Sequence, residues 1–304
     1  MTSKPLILDG GLATELEERG FYLQEDPLWS AKVLYTDPQA IKDVHYRFLQ
    51  SGSDVITTAT YQATLEGFFK HLKLKPEQAE ELLISGVQIA KDTAALFTTN
   101  CTAADRAVPL VAGSVGPYGA FLNDGSEYTG NYQSQMSVEE LKDWHRPQVR
   151  CLVAAEADLI ALETIPCLKE VEALVGLLRE FPNTKAWMSF SCKDTQCISG
   201  GNKFSQAVEL AARSTQLVAV GVNCSAPSLV TPLLESAKSQ KAPNMSWVVY
   251  PNSGEEWDPK KGWKSKRMSF TELSAEWKEQ GALWIGGCCR TGPADITELR
   301  NRLI

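Results

Sequence analysis

Eight short runs rich in apolar and β-branched residues punctuate this chain, and a stretch with helical spacing separates each from the next. The runs cover residues 6–10, 54–61, 109–116, 158–166, 185–192, 217–225, 246–253 and 282–290. Several are apolar on successive positions, as in DLIAL from Asp158 and LVAVGV from Leu217. That is the pattern of strands covered on both faces. Helix signals fill the intervals. Asp37 ahead of Pro38 offers a cap and a preorganised first turn, and Ser137 stands in capping-box register with Glu140. Gly52 and Gly281 fall where a helix must stop before the next strand. Strand and helix alternating in this way, with no break in composition, predict an α/β protein: one closed parallel (β/α)8 TIM barrel, with residues 1–304 as a single domain. An open doubly wound sheet is the alternative. It lacks its usual mark, because Asp9-Gly10-Gly11 has no third glycine and no other G-x-G-x-x-G turn follows a strand.

The net charge of −7 and the absence of a basic run exclude the electrostatic footprint of a nucleic-acid or anionic-membrane binder. No apolar stretch approaches the ~20 residues of a membrane helix, and MTSKPLILDG runs straight into a strand. A cytoplasmic protein is expected. In a reducing compartment its eight cysteines persist as thiols: packed hydrophobes, nucleophiles or metal ligands.

Functional side chains of such a barrel project from the C-terminal ends of its strands. Those ends carry Asp9 and Gly10, Tyr61 and Gln62, Ser114 and Gly116, Glu163 and Thr164, Ser191 and Cys192, Asn223 and Cys224, Asn252 and Ser253, and Cys288 and Cys289. There is no histidine among them; His45, His71 and His145 fall in helical stretches, which argues against a barrel metallohydrolase. Strands six and eight stand roughly 10 Å apart at ~4.8 Å per neighbour, so side chains converging over the mouth can share one ion. Cys288 and Cys289 would face opposite ways in an extended strand, so the chain must turn there, and Gly286-Gly287 supplies the expected freedom. Three thiolates with an open fourth position make a catalytic zinc site. Packed thiols, a strained 288–289 disulfide and a second metal pair at Cys192 and Cys197 are the competing readings. Zinc held by three thiolates favours the ionised form of a substrate thiol. Asp9 and Glu163 are placed to receive an ammonium group, or else to be solvated or salt-bridged at the rim, and the amides of the Asp9-Gly10-Gly11 turn to receive a carboxylate. Homocysteine fits that set.

The segments ILDGGLATELEERG, LWSAKVLYTDPQAI, TATYQAT, GSVGPYGAFLNDGSEYTGNY, HRP, LETIP, GVNCSAP, VVYPNSGE and GGCCRTGPADI together resemble the homocysteine S-methyltransferases. The resemblance runs from about residue 6 to the end and is nearest the branch that uses S-methylmethionine or S-adenosylmethionine as donor. It implies one Zn2+ per chain on Cys224, Cys288 and Cys289, with Asp9, Gly10 and Glu163 at the amino-acid end of homocysteine. It implies Trp29 as an aromatic near the donor, and sets Tyr61, Gln62 and Asn223 in matching strand-end motifs. The betaine-using branch differs at Gln62 and carries a C-terminal extension for oligomerisation, so a sulfonium donor and a monomer are expected. A zinc–thiolate redox sensor without turnover is the alternative function.

Overall fold

The computed structural model describes residues 4–101, 106–258, 262–264 and 269–304. Eight strands, all parallel to their neighbours, form the expected (β/α)8 barrel: β1 (Leu6–Ile7), β2 (Val55–Thr57), β3 (Leu110–Val115), β4 (Leu159–Ile165), β5 (Ala186–Phe190), β6 (Leu217–Asn223), β7 (Ser246–Tyr250) and β8 (Ala282–Ile285). They follow the order β1-β8-β7-β6-β5-β4-β3-β2, and a parallel bridge from Leu8 to Val55 closes the ring. That seam is narrow. Asp54 reinforces it by accepting from the backbone N–H of Ile7 at 3.0 Å and from Arg300 of the last helix at 2.9 Å.

Local signals act as their chemistry predicts. Asp37 accepts from Ala40 N at 3.1 Å and caps the helix Pro38–Ser51, which ends at Gly52 with φ of 113°. Ser137 and Glu140 cap the helix Val138–Ala154 reciprocally. Gly281, at φ 97°, follows the helix Thr271–Glu279. No helix among the described residues is long and apolar enough to cross a membrane.

Two apolar layers result. Helices pack on the outer faces of the strands, burying Ile7, Ile56, Val111, Ile160, Met188, Val220 and Ile285. Inside the barrel, the small Ala112, Ala161 and Ala219 leave room for Trp187 and Tyr250. Period-two alternation carries the interior face up from Ala161 to Glu163, so the same pattern that fills the core delivers a carboxylate to the mouth.

The strands are shorter than their apolar runs. The second run is expected to reach residue 61, but β2 ends at Thr57. Beyond it side chains replace the ladder: Ser114 N donates to Thr58 Oγ1 at 3.0 Å, and Thr60 Oγ1 donates to Ser114 O at 2.7 Å. The eighth run stops at Ile285, and Cys288 N turns to Pro251 O at 2.8 Å. The segment 117–135 after β3 contains the short helix Tyr118–Leu122 and two 3-10 turns, Ser126–Tyr128 and Asn131–Ser134. The loop after β7 holds an antiparallel ribbon of Glu256–Asp258 with Gly262–Lys264. Residues 259–261 and 265–268 of that loop lie outside the described residues, as do residues 1–3 at the start of the chain.

Candidate metal and substrate site

Cys224 follows β6 directly, with φ of 46°, a left-handed backbone that turns its side chain out of the strand's alternation. Cys288 and Cys289 lie on a turn after β8, closed by Thr291 N and Thr291 Oγ1 donating to Cys288 O at 3.2 and 2.7 Å, with Arg290 at φ 63°. The turn therefore sits one or two residues later than Gly286-Gly287. Neither glycine has a positive φ; each is there for space. A Cβ on Gly286 would stand 2.5 Å from Leu8 Cβ, and one on Gly287 2.2 Å from Thr291 Oγ1.

The three sulfurs come together. All lie within 4.8 Å of one another; Cys224 to Cys289 is 3.6 Å and Cys288 to Cys289 is 4.0 Å. Zn–S bonds of ~2.3 Å in a tetrahedron place sulfurs about 3.8 Å apart, so this donor set fits a zinc ion. It is the only such group of metal-ligating atoms among the described residues, and the Cys192–Cys197 pair is not in it. Hydrogen bonds from Cys224 and Cys288 hold the Cys289 thiol well below its usual range, whereas its bonds to Cys224 and Cys289 push Cys288 up. One thiol is thus primed to ionise before the others. Cys151 and Cys167 are buried among apolar side chains, and Cys101 is partly buried against the core.

Two carboxyls stand beside the sulfurs. Asp9 accepts from Thr57 N at 2.7 Å and Thr57 Oγ1 at 3.0 Å, and Glu163 accepts from Ser114 Oγ. Burial pushes each up to about 7, against those donated bonds. Asp9 feels the charge of Glu163, and Glu163 that of Cys224. Below them Tyr250 takes the Trp187 indole N–H at 2.9 Å and pairs with Ser189 Oγ at 2.6 Å, linking the interior to Glu163. Such a site can neutralise a cationic group next to a soft, thiol-binding centre. The amide of Gly11 is spent on Thr291 O at 2.9 Å, which removes one of the donors expected for a carboxylate. Gly10 packs so closely under Thr291 that a Cβ would lie 2.7 Å from its carbonyl oxygen.

The remaining sequence-selected residues divide. Trp29, at φ 47°, faces Tyr61 edge-on with ring centroids 6.4 Å apart. Gln62 Nε2 donates to Ala120 O at 2.9 Å and ties down the loop after β3; its Oε1 is buried without a hydrogen-bond partner among the described residues. Asn223 spends both amide atoms on Thr164: Thr164 N donates to Oδ1 at 2.8 Å, and Nδ2 donates to Thr164 Oγ1 at 2.7 Å. Thr164 has φ of 64°, a costly conformation for a β-branched residue, and the β4–β5 register shifts between Leu162 and Ile165. Asn223 fastens that strained step immediately after Glu163.

Three residues with no role assigned from sequence also serve the site. Thr57 and Ser114 donate to the two carboxyls. Glu170, fully buried, gathers the N–H of Tyr118 at 2.7 Å, the hydroxyl of Tyr132 and His145 Nε2 at 2.8 Å, anchoring the loop after β3. Ser114 stands among the strand ends, so parity flags it. Glu170 becomes visible only once the helices pack. A separate 360 Å3 surface groove near Arg19, Lys42 and Arg47 is formed by outer helices and includes none of the strand-end residues.

The family model described as homocysteine S-methyltransferase matches residues 6–303. The homocysteine S-methyltransferase YbgG of Bacillus subtilis is 43% identical over 298 residues, covering 97% of this chain and 93% of its own. A betaine-homocysteine S-methyltransferase of Drosophila melanogaster is 39% identical over 98% of this chain and 94% of its own. The crystal structure of the metallated homocysteine methyltransferase MmuM of Escherichia coli superposes with a TM-score of 0.88 at 40% identity, covering 99% of this chain and 96% of that one.

Proposed function

Because this chain belongs to the homocysteine S-methyltransferase family, we propose that it transfers a methyl group from a sulfonium donor, S-methylmethionine or S-adenosylmethionine, to the sulfur of L-homocysteine. The observation that carries this reading is the convergence of Cys224, Cys288 and Cys289 beside the buried carboxyls of Asp9 and Glu163. The three cysteines would hold one zinc ion, which when bound favours the ionised form of an incoming thiol. Asp9 and Glu163 take the ammonium of homocysteine, and its arrival offsets the cost of ionising them in a buried site. The sulfur lone pair of homocysteine forms the new S–CH3 bond as the methyl–sulfonium bond breaks. The bonding pair returns to the donor sulfur, and the homocysteine proton has already gone to solvent.

Charge is neutralised on both reactants along this path, so water exclusion favours it and alignment supplies much of the rate. Trp29 and Tyr61 supply the aromatic surface for the donor, where a ring face contributes roughly 0.5–2 kcal/mol toward a cation. Gln62 holds the loop after β3 through the Ala120 carbonyl, and Asn223 holds Thr164 so that Glu163 keeps its aim. Gly10 admits the close backbone approach beneath Thr291. No general base is needed at the sulfur.

Initial rates with homocysteine and each of three donors test the proposal on zinc-loaded protein. Methionine should form with S-methylmethionine or S-adenosylmethionine and at least a hundredfold more slowly with betaine. Efficient turnover of betaine, the donor named in the Drosophila relative, would overturn the donor assignment.

A further inference from the structure

Ser126–Tyr128 is a 3-10 turn in the loop after β3, and its backbone is fixed on two sides. Ser191 Oγ, at the end of β5, donates to Glu127 O at 2.9 Å. Gly119 packs so tightly that a Cβ there would lie 2.5 Å from Glu127 N. Glu170 anchors both flanks of the loop through Tyr118 and Tyr132. A side chain on so rigid a turn points where the fold puts it.

The Glu127 side chain is turned inward. Its Oε2 is buried and has no hydrogen-bond partner among the described residues. Its charge acts on Tyr61 and on Cys224, which places it by the metal cluster and the aromatic pair. Yet its oxygens do not join the group of atoms close enough to share one ion with the three sulfurs. It therefore faces the site without being a metal ligand. Asp9 and Glu163 have their donors in Thr57 and Ser114; Glu127 Oε2 has none among the described residues. A buried carboxylate oxygen without a partner is costly and is retained when a partner arrives from outside.

The geometry points to Glu127 as the carboxylate that receives the positive charge of the methyl donor, and so as a residue that selects a cationic donor. This assignment rests on the sulfonium reading above. Both sulfonium donors carry two cationic groups, the sulfonium and the α-ammonium, and a single carboxylate can meet either. The ammonium keeps its charge through the reaction, so contact with it binds ground and transition states alike. The sulfonium loses its charge as the methyl leaves, so contact with it favours the ground state.

The experiment compares wild type with Glu127→Gln, which keeps size and removes charge, and Glu127→Asp, which keeps charge. Donor affinity is measured by calorimetric titration and by KM for S-methylmethionine and S-adenosylmethionine; homocysteine KM and zinc content are measured alongside. Glu127→Gln should raise donor Kd and KM tenfold or more and leave homocysteine KM and zinc content unchanged, while Glu127→Asp recovers part of the loss. A dimethylalkylsulfonium lacking the amino group separates the two contacts: an equal loss assigns the sulfonium, and no loss assigns the ammonium. Donor Kd and KM within twofold of wild type, or loss of zinc from Glu127→Gln, would overturn the assignment while leaving the proposed reaction intact. A wild-type protein that uses no sulfonium donor would overturn both.

Discussion

Replacing Glu163 by Gln should stabilise this protein while disabling it. Burial raises the Glu163 carboxyl from an ordinary 4.5 to about 7, even though Ser114 donates to it. A carboxyl whose folded value exceeds its unfolded value binds protons more tightly in the folded state. The folded state is thus favoured most below about pH 4.5 and loses that advantage as pH climbs through 7. At about 1.4 kcal/mol per unit, keeping this group ionised at pH 8 costs the ligand-free fold roughly 3 kcal/mol. Gln fills the same space, accepts from Ser114 Oγ and carries no charge. Glu163→Gln should therefore gain about 3 kcal/mol at pH 8, some 5 °C in Tm for a chain of this length, and little at pH 4.5. Homocysteine, whose ammonium the proposed reading assigns to this carboxylate, should bind the variant at least tenfold more weakly. Denaturant melts of the metal-free, reduced protein at the two pH values, with homocysteine kinetics on the zinc-loaded enzyme, check both halves. Equal stability of variant and wild type at pH 8, or an unchanged homocysteine KM, would refute the reasoning.

Cys224→Ala should lose metal and turnover together, because the remaining two sulfurs come from a single turn; elemental analysis that still finds stoichiometric zinc would remove Cys224 from the ligand set. Asn223→Ala should leave zinc in place but free the strained Thr164, with a stability loss of about 1–3 kcal/mol from the unpaired buried amide and a higher homocysteine KM. Paired denaturant melts and kinetics read it out.

The barrel is legible in the sequence because strands buried on both faces leave contiguous apolar runs, and eight of them alternate with helix caps. Their ends are less so: Thr58, Thr60 and Ser114 trade ladder bonds for side-chain bonds where the chain bends over the mouth, and no run of apolar letters records that exchange. The cysteine trio is legible for the same reason as the barrel, since strand order sets which ends are neighbours two apart. The mechanism of the Cys288–Cys289 turn is not. Gly286 and Gly287 look like conformational hinges, yet they are spacers against Leu8 and Thr291, a distinction that only packing reveals. Asn223 reads as a site amide because of its address, while its actual work is to hold a left-handed threonine. Glu127 lies in a loop, where position follows from contacts distant in sequence.

The ring closes where β1 meets β8 and β2, and the final helix ties that junction through Arg300 to Asp54. Two of the three sulfurs stand just beyond β8, the last stave to be translated, and the Gly11 backbone packs directly beneath the Cys288 carbonyl. A chain built only as far as β7 thus carries Cys224 alone of the three clustered thiols. On the proposed metal reading, capture of an ion would wait for β8, and an ion held by all three sulfurs would resist reopening of the cylinder at its thinnest join. Occupancy would then record completed folding: a ribosome-bound or truncated chain would stay empty, and a chelator would compete best with whatever fraction has sprung open.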